Sequence, residues 1–334
     1  MPYKAKIVQS SIKAKKRKSY KVTNWTEYNN SLKKRGCLSL YLPYGDLKGQ
    51  FINDQPYNLG ISGRQSTYKT PYIELIYMFY RLFGWGMRQI IGYFEDLWRL
   101  KKLEIPVPSF GHLSDLFAAI PLKIKQFCDK LACCVLQGEK VTLIFDSTGL
   151  RFGKASHWYE TKYDKPCDRK PWKKMHLAMD PDFNIHSLEI TDCDTSDSEM
   201  MDSMINQEDF GTTEKIIADG AYYSIERSKK LYDKGIIPVI PPPSHSVVHG
   251  KESTKWHDKI VNYVKEKGTV YAFHKKYDYG KRALVEAQNS RIKRCIGDSL
   301  KTQRDSSQKN EGIVIANLIN KWNSFGRCIC MKAG

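Results

Sequence analysis

Acidic residues are scarce at both ends of this chain. Residues 1–40 hold eleven Lys and Arg against a single acid, Glu27, and residues 287–334 hold nine against three. These two stretches carry +10 and +6 of the formal net charge of +18, so the middle of the chain is nearly balanced. Such an excess fits a polyanion lying across the termini, because each phosphate neutralised by Lys or Arg releases condensed counterions. Long apolar runs are missing as well. The N-terminus MPYKAKIVQSSIKAKKRKSY has no apolar signal-peptide core, and the most apolar stretch, Tyr72 to Gly86, is broken by Glu74 and Arg81. No membrane span or anchor is expected. The nine cysteines contain no CxxC pair, which argues against a disulfide framework or a zinc site and for free thiols in a reducing cytoplasm. The eight histidines are scattered.

What is present is ordinary globular material. At 334 residues, 41% hydrophobic and 27% charged, the chain has about two domains' worth of sequence and can bury a core without staples. Residues 1–24 offer no apolar face and read as a basic mobile arm. From Asn24 to Gln65 turn signals at Pro43, Gly45, Asn58 and Gly63 predict short elements. Pro71 to Gly84 and Met87 to Lys101 have helical spacing around a tight Gly84-Trp85-Gly86 turn. With a short helix from Ser109 they suit either a helix-turn-helix or a structural bundle. A further helix is expected over Ile120 to Gln137.

Beyond residue 140 the period changes. Val141 to Phe145 is a compact apolar run ending in Asp146. His176 to Met179 and Ile185 to Ile190 are strands joined by the turn Asp180 to Asn184, completing a meander. Ser196 to Glu199 is a capping box opening a helix to Asn206, and Lys215 to Ala218 is a second buried strand ending in Asp219. Ile225 to Lys234 reads as a helix, Ile236 to Ile240 as a strand and Arg282 to Ile296 as a long helix stopped by Gly297. The order is mixed α/β, and the handedness of crossovers makes the two apolar strands parallel central neighbours. Ligands in such sheets gather beyond the carboxyl ends of the strands, where Asp146 and Asp219 are expected.

Two carboxylates on adjacent strands about 4.8 Å apart can share divalent cations through oxygen. A third acid stands on the late helix. Tyr279, Arg282, Glu286 and Lys293 fall within roughly 60° of one another around a helix at 100° per residue. The plain reading is an internal Arg282–Glu286 ion pair one turn apart, which does not exclude a metal role; the added Lys293 and Tyr279 exceed what one pair needs and suit a phosphate backbone beside the acid.

Four motifs in register, Asp146-Ser-Thr-Gly-Leu150, Trp172-Lys-Lys-Met-His176, Ala218-Asp-Gly-Ala-Tyr222 and Tyr279-x2-Arg282-x3-Glu286-x6-Lys293, resemble the DDE transposases of bacterial insertion sequences, specifically insertion-sequence family five, related to family four. The similarity runs from Asn24-Trp-Thr-Glu-Tyr-Asn-Asn30 to Leu318-Ile-Asn320. The resemblance implies an α/β fold with a ribonuclease-H-like mixed five-stranded sheet flanked by helices, preceded by an α-helical N-terminal region. It divides the chain into the arm at 1–24, a mainly helical DNA-binding and dimerisation region at 25–137, and a catalytic domain at 138–334 with a short insertion at about 241–278. It further implies an enzyme that binds terminal inverted repeats and catalyses DNA strand cleavage and strand transfer, with Asp146, Asp219 and Glu286 holding two Mg²⁺ ions for which Mn²⁺ can substitute. Tyr279, Arg282, Lys293, Lys173 and Lys174 are its expected DNA contacts. Its partners are double-stranded DNA, both element ends and target, and a second copy on DNA, with no membrane and no small-molecule cofactor. The expected location is the bacterial cytoplasm, at the nucleoid.

Some features depart from that pattern. Asp115 to Ala119 is not basic, which weakens a base-reading role for the helix from Ser109. His176 reads better as a strand residue, and Trp256 better as packing than as a stacking platform for a flipped base. The acids Asp192, Asp194, Asp197 and Glu199 lack the glycine and spacing of a calcium loop and read as turn and capping residues. The alternative function is a catalytically inactive, transposase-derived DNA-binding protein; the intact acid triad argues against it.

Overall fold

The computed structural model describes residues 20–55, 57, 66–127, 140–152, 172–207 and 213–332. By compactness the chain divides into residues 1–38 with 325–334, and residues 39–324. In the first unit, β1 (Tyr20–Val22) pairs antiparallel with the last strand, Cys330–Lys332, setting Tyr20 opposite Lys332. Asn24 locks this ribbon: its Nδ2 donates to Arg327 O and its Oδ1 accepts from Ile329 N, both at 2.8 Å. Helix α1 (Trp25–Lys34) follows, with Glu27 in its first turn and Lys33 and Lys34 in its last, each at the end the helix dipole favours. Most of the expected basic arm and the expected turns at Asn58 and Gly63 lie outside the described residues.

The second unit begins with α2 (Leu47–Phe51), α3 (Thr70–Phe83), α4 (Met87–Leu100) and α5 (Phe110–Ala119). Pro71 opens α3, and Gly84 closes it at φ +66, a left-handed cap that suits glycine. Tyr72, Ile73, Leu75, Ile76, Tyr77, Phe79 and Tyr80 of α3 are all buried, so this helix is the centre of the bundle. Phe51, Phe94 and Trp98 pack around Tyr72, and Tyr77 stacks on Phe117 at 3.8 Å between ring centroids. Each such side chain contributes roughly 1.5–3 kcal/mol. The helix expected over Ile120 to Gln137 does not start where the pattern put it. Residues 121–127 are irregular, and 128–137 lie outside the described residues. Pro121 disfavours a helical conformation at Ile120, and asparagines from a late helix take up the backbone polar groups: Lys125 N donates to Asn317 Oδ1 at 2.8 Å and Asn317 Nδ2 donates to Lys123 O at 3.0 Å.

The remaining elements are β2 (Val141–Phe152), β3 (Trp172–Met179), β4 (Ile185–Asp192), α6 (Asp197–Gln207), β5 (Thr213–Ile217), α7 (Ile225–Asp233), β6 (Ile237–Val239), α8 (Lys255–Lys267), α9 (Val270–Lys276), α10 (Ala283–Cys295), β7 (Ser299–Leu300) and α11 (Asp305–Phe325). The sheet order is β4-β3-β2-β5-β6. The first three strands form an antiparallel meander, and β2, β5 and β6 run parallel, with α6 preceding β5 and α7 lying between β5 and β6 in the chain. This is the ribonuclease-H-like mixed sheet expected, flanked by helices, with one addition. The short β7 pairs with the far end of β2, so the sheet has six strands among the described residues instead of five.

Two features exceed the sequence expectation. The insertion holds the helices α8 and α9, and Trp256 on α8 is buried with its ring 5.0 Å from Tyr232, which fastens the insertion to α7, and 5.6 Å from Tyr277 within the insertion. Helix α11 was not anticipated. Its Val314, Ile315, Ala316, Leu318 and Ile319 are buried together with Asn310, Asn317 and Asn320. At Gly312 it lies so close to β4 that a Cβ would come within 2.5 Å of Leu188 Cδ2 and 2.9 Å of Ile190 Cγ1. No helix among the described residues is long and apolar enough to cross a membrane.

Candidate active site

The parallel register of β2 and β5 ends with Ile144 opposite Ile217, and Asp146 and Asp219 each lie two residues further on. Both were expected at strand ends; Asp146 instead lies inside β2. The strand continues because β3 pairs with it on one side, Leu177 opposite Asp146, and β7 joins further out, Ser299 opposite Arg151. Asp219 does leave its strand. It caps the 3-10 turn Gly220–Tyr222, its Oδ1 accepting from Gly220 N at 2.6 Å. That turn is anchored twice. The buried Tyr222 hydroxyl is hydrogen-bonded to Ser147, and the Tyr222 carbonyl accepts from Arg227, which pairs with Asp202 at 2.6 Å.

Glu286 comes from the opposite side, on the first turn of α10, after a 3-10 turn over Tyr279–Arg282. One guanidinium faces all three acids: Arg282 Nη1 donates to Glu286 Oε1 at 2.6 Å, and its Nη2 donates to Asp219 Oδ2 at 3.2 Å and lies 3.8 Å from Asp146 Oδ1. Further along α10, Asn289 Nδ2 donates to Asp146 Oδ2 at 3.2 Å and Lys293 Nζ donates to Thr148 Oγ1 at 2.7 Å. Just past the helix, Arg151 N donates to Asp298 O at 2.9 Å. Three successive ties therefore lay α10 along β2. Between them is a cleft of about 380 Å³ bordered by Asp146, Thr148, Glu286, Asn289 and Lys293.

Burial distributes the electrostatics unevenly. The Asp146 side chain is 16% exposed against 49% for Asp219 and 56% for Glu286. Burial raises the Asp146 carboxyl above its ordinary range, with Arg282 and the Ser147 amide opposing and the two other acids adding to the rise. For Arg282 burial works against the charge, but Asp219 and Asp146 outweigh it and hold the guanidinium above its ordinary value. Burial pushes the Tyr279 phenol up to about 12, and its ring stacks on His274 at 4.4 Å.

The structure brings together Asp146, Asp219, Glu286, Arg282 and Lys293, with Tyr279 at the start of the same turn. Lys173 and Lys174 are tied elsewhere: Lys173 to Asp192 at 2.7 Å and Asp305 at 2.8 Å, Lys174 to Thr195 O at 2.9 Å and Asp197 at 3.2 Å. These partners account for two of the four acids between residues 192 and 199, Asp192 and Asp197, and for Asp305 at the start of α11. His176 is buried between Thr191, 2.8 Å from its Nε2, and Asp197. Sequence reasoning passed over Thr148 and Asn289. Asn289 stands three residues after Glu286 and four before Lys293, a spacing that puts it on the same helix face; only its residue type concealed it.

Among the described residues, no group of three or more His, Cys, Asp or Glu is gathered as a ready metal shell, since Arg282 stands between the acids. The donor set nonetheless fits a hard divalent cation. Three carboxylates from three elements point at one centre of positive charge, and Asn289 Oδ1, buried beside Asp146, has no hydrogen-bond partner. Such a set, on a basic protein, suits phosphate chemistry.

A family model described as Transposase DDE domain matches residues 137–320, more than half of the chain. A second model of the same description matches residues 33–154. Among solved structures, the Drosophila P element transposase strand transfer complex is similar at 13% identity, covering 57% of this chain and 41% of that one, with a TM-score of 0.24, too low to bear on fold or function.

Proposed function

The chain belongs to the family of transposase DDE domains, and from that membership we propose that it binds the terminal inverted repeats of its own element, cuts the DNA at their ends and joins them to target DNA. The observation that carries this reading is the convergence of Asp146, Asp219 and Glu286 on one guanidinium at 3.8, 3.2 and 2.6 Å. Acids perturbed by burial and a specific charge partner beside a cleft are the mark of a functional-site candidate.

In this proposal the three carboxylates hold Mg²⁺, or Mn²⁺ in its place. When bound, the cations activate a water or a DNA 3′-hydroxyl and stabilise the leaving 3′-oxygen of an in-line phosphoryl transfer. The chain's own residues do the positioning. Asp146 is held by β3 and Asn289, Asp219 by its capped turn, and Glu286 by the ties of α10 to β2. Arg282 balances the carboxylates' charge until a divalent ion does so, and its planar fork then suits a phosphate oxygen pair. Lys293 and Tyr279, on the same side, complete a backbone contact. For Lys173 and Lys174 to join it, phosphate has to replace Asp192, Asp305 and Asp197. A second copy on DNA supplies the synapsis of two ends.

The test is an Asp219→Ala variant assayed with a labelled element-end duplex and Mg²⁺. Cleavage and strand-transfer products are expected to vanish while DNA binding persists; undiminished cleavage would remove Asp219 from the site. Cleavage without joined product by the unaltered protein would make it a nuclease instead.

A further inference from the structure

Asn289 has an unusual pair of surroundings. Its residue is 7% exposed, its Nδ2 donates to Asp146 Oδ2 at 3.2 Å, and its Oδ1 is buried with no hydrogen-bond partner. The amide orientation follows from Asp146: reversing it would set a carbonyl oxygen against a carboxylate oxygen. A buried carbonyl without a donor costs free energy and calls for a partner. The two cationic groups on the same helix face are engaged elsewhere, Arg282 with the three acids and Lys293 with Thr148. Asn289 itself borders the cleft that Asp146 and Glu286 also border.

The geometry points to Asn289 as a fourth oxygen ligand of the cation site, binding through Oδ1 while Nδ2 holds Asp146 in place. Hard divalent cations accept amide carbonyls alongside carboxylates, so the donor is chemically suited. A neutral ligand adds coordination without adding to the repulsion among three acids. Helical spacing supplies the rest: Asn289 follows Glu286 by one turn, so one helix face offers two oxygens to the same centre.

This inference rests on the transposase reading, and binding of Mn²⁺ alone, measured by titration calorimetry on the full chain without DNA, separates the two. Asn289→Ala is expected to weaken Mn²⁺ binding about tenfold or more. Asn289→Asp keeps the shape and the oxygen while losing the donor. It is expected to bind Mn²⁺ at least as tightly as the unaltered chain, and to show a lower unfolding temperature in chelator with a larger rise on adding Mn²⁺. Unchanged affinity in Asn289→Ala overturns the inference and leaves the transposase reading standing. So does an Asn289→Asp variant as weakened as the alanine, because that is what a donor-only role produces. Absence of Mn²⁺ binding by the unaltered chain, with Asp219→Ala as its reference, overturns both.

Discussion

Lys293 places its ammonium 2.7 Å from the hydroxyl of Thr148, two residues beyond Asp146 on the same strand. This contact joins a helix contributed late in the chain to the strand that carries the first acid, and it leaves the lysine's charge uncompensated by any acid in that pair. The two residues should therefore separate when altered. Lys293→Ala should lower DNA affinity and reduce the salt slope of binding by about one phosphate's worth. Thr148→Val removes the hydroxyl and keeps the charge, so it should leave the salt slope unchanged while slowing cleavage. Fluorescence anisotropy across a salt series reads the first, a gel cleavage assay the second; equal slopes for both variants would deny Lys293 its phosphate.

Arg282 is the only positive charge that faces all three acids in the described site. Without it Asp146, Asp219 and Glu286 confront one another. Arg282→Ala should unfold at a temperature lower by roughly 2–4 °C or more in chelator. Mg²⁺ should restore more stability to the variant than to the unaltered chain, since binding to the folded state alone adds stability by mass action. Differential scanning fluorimetry with and without Mg²⁺ measures both; equal Mg²⁺ responses would show that the guanidinium and the cation act at different places.

Arg81 and Glu311 form a fully buried pair at 2.7 Å, linking α3 to α11. Glu311 also accepts from Lys301 N at 2.8 Å and from Thr302 N at 2.9 Å. Removing one partner strands the other, so Arg81→Met should cost about 3–5 kcal/mol in urea unfolding. The double variant with Glu311→Leu should not recover that loss, because two backbone amides then go unsatisfied. Recovery in the double variant would mean the pair acts alone.

Burial pushes the imidazole of His176 down to about 4, against the opposing pull of Asp197. The unfolded chain takes up that proton near 6.5. The contribution of this residue is therefore complete above pH 6.5 and is lost as the pH falls toward 4, by an amount on the order of 3 kcal/mol. Unfolding in urea at pH 7, 5.5 and 4.5 should show His176→Gln losing less stability across that interval than the unaltered chain; parallel losses would acquit the histidine.

Elements with a single buried or alternating signature were legible from the residues. The apolar runs at Val141 and Lys215 became adjacent parallel strands, and the turn at Asp180 closed the meander as expected. Helix α11 escaped because it is buried on nearly every side, with asparagines among its inward residues, so neither an apolar stripe nor a uniformly apolar run marks it. Those same asparagines explain the error at Ile120, where they stand in for the hydrogen bonds a helix would have made. Asp146 was placed at a strand end because the apolar run stops there. In fact β2 continues on partners from β3 and β7, which the local pattern of β2 does not contain.

The ribbon that pairs Tyr20 with Lys332 has a consequence in time. β1 waits for a strand that is translated some 310 residues later. At about 5–20 residues per second, the ribosome takes roughly 15–60 s to supply it. Until that strand emerges β1 stays unmatched, and a ribosome that stalls before reaching it releases a product whose ribbon can never close.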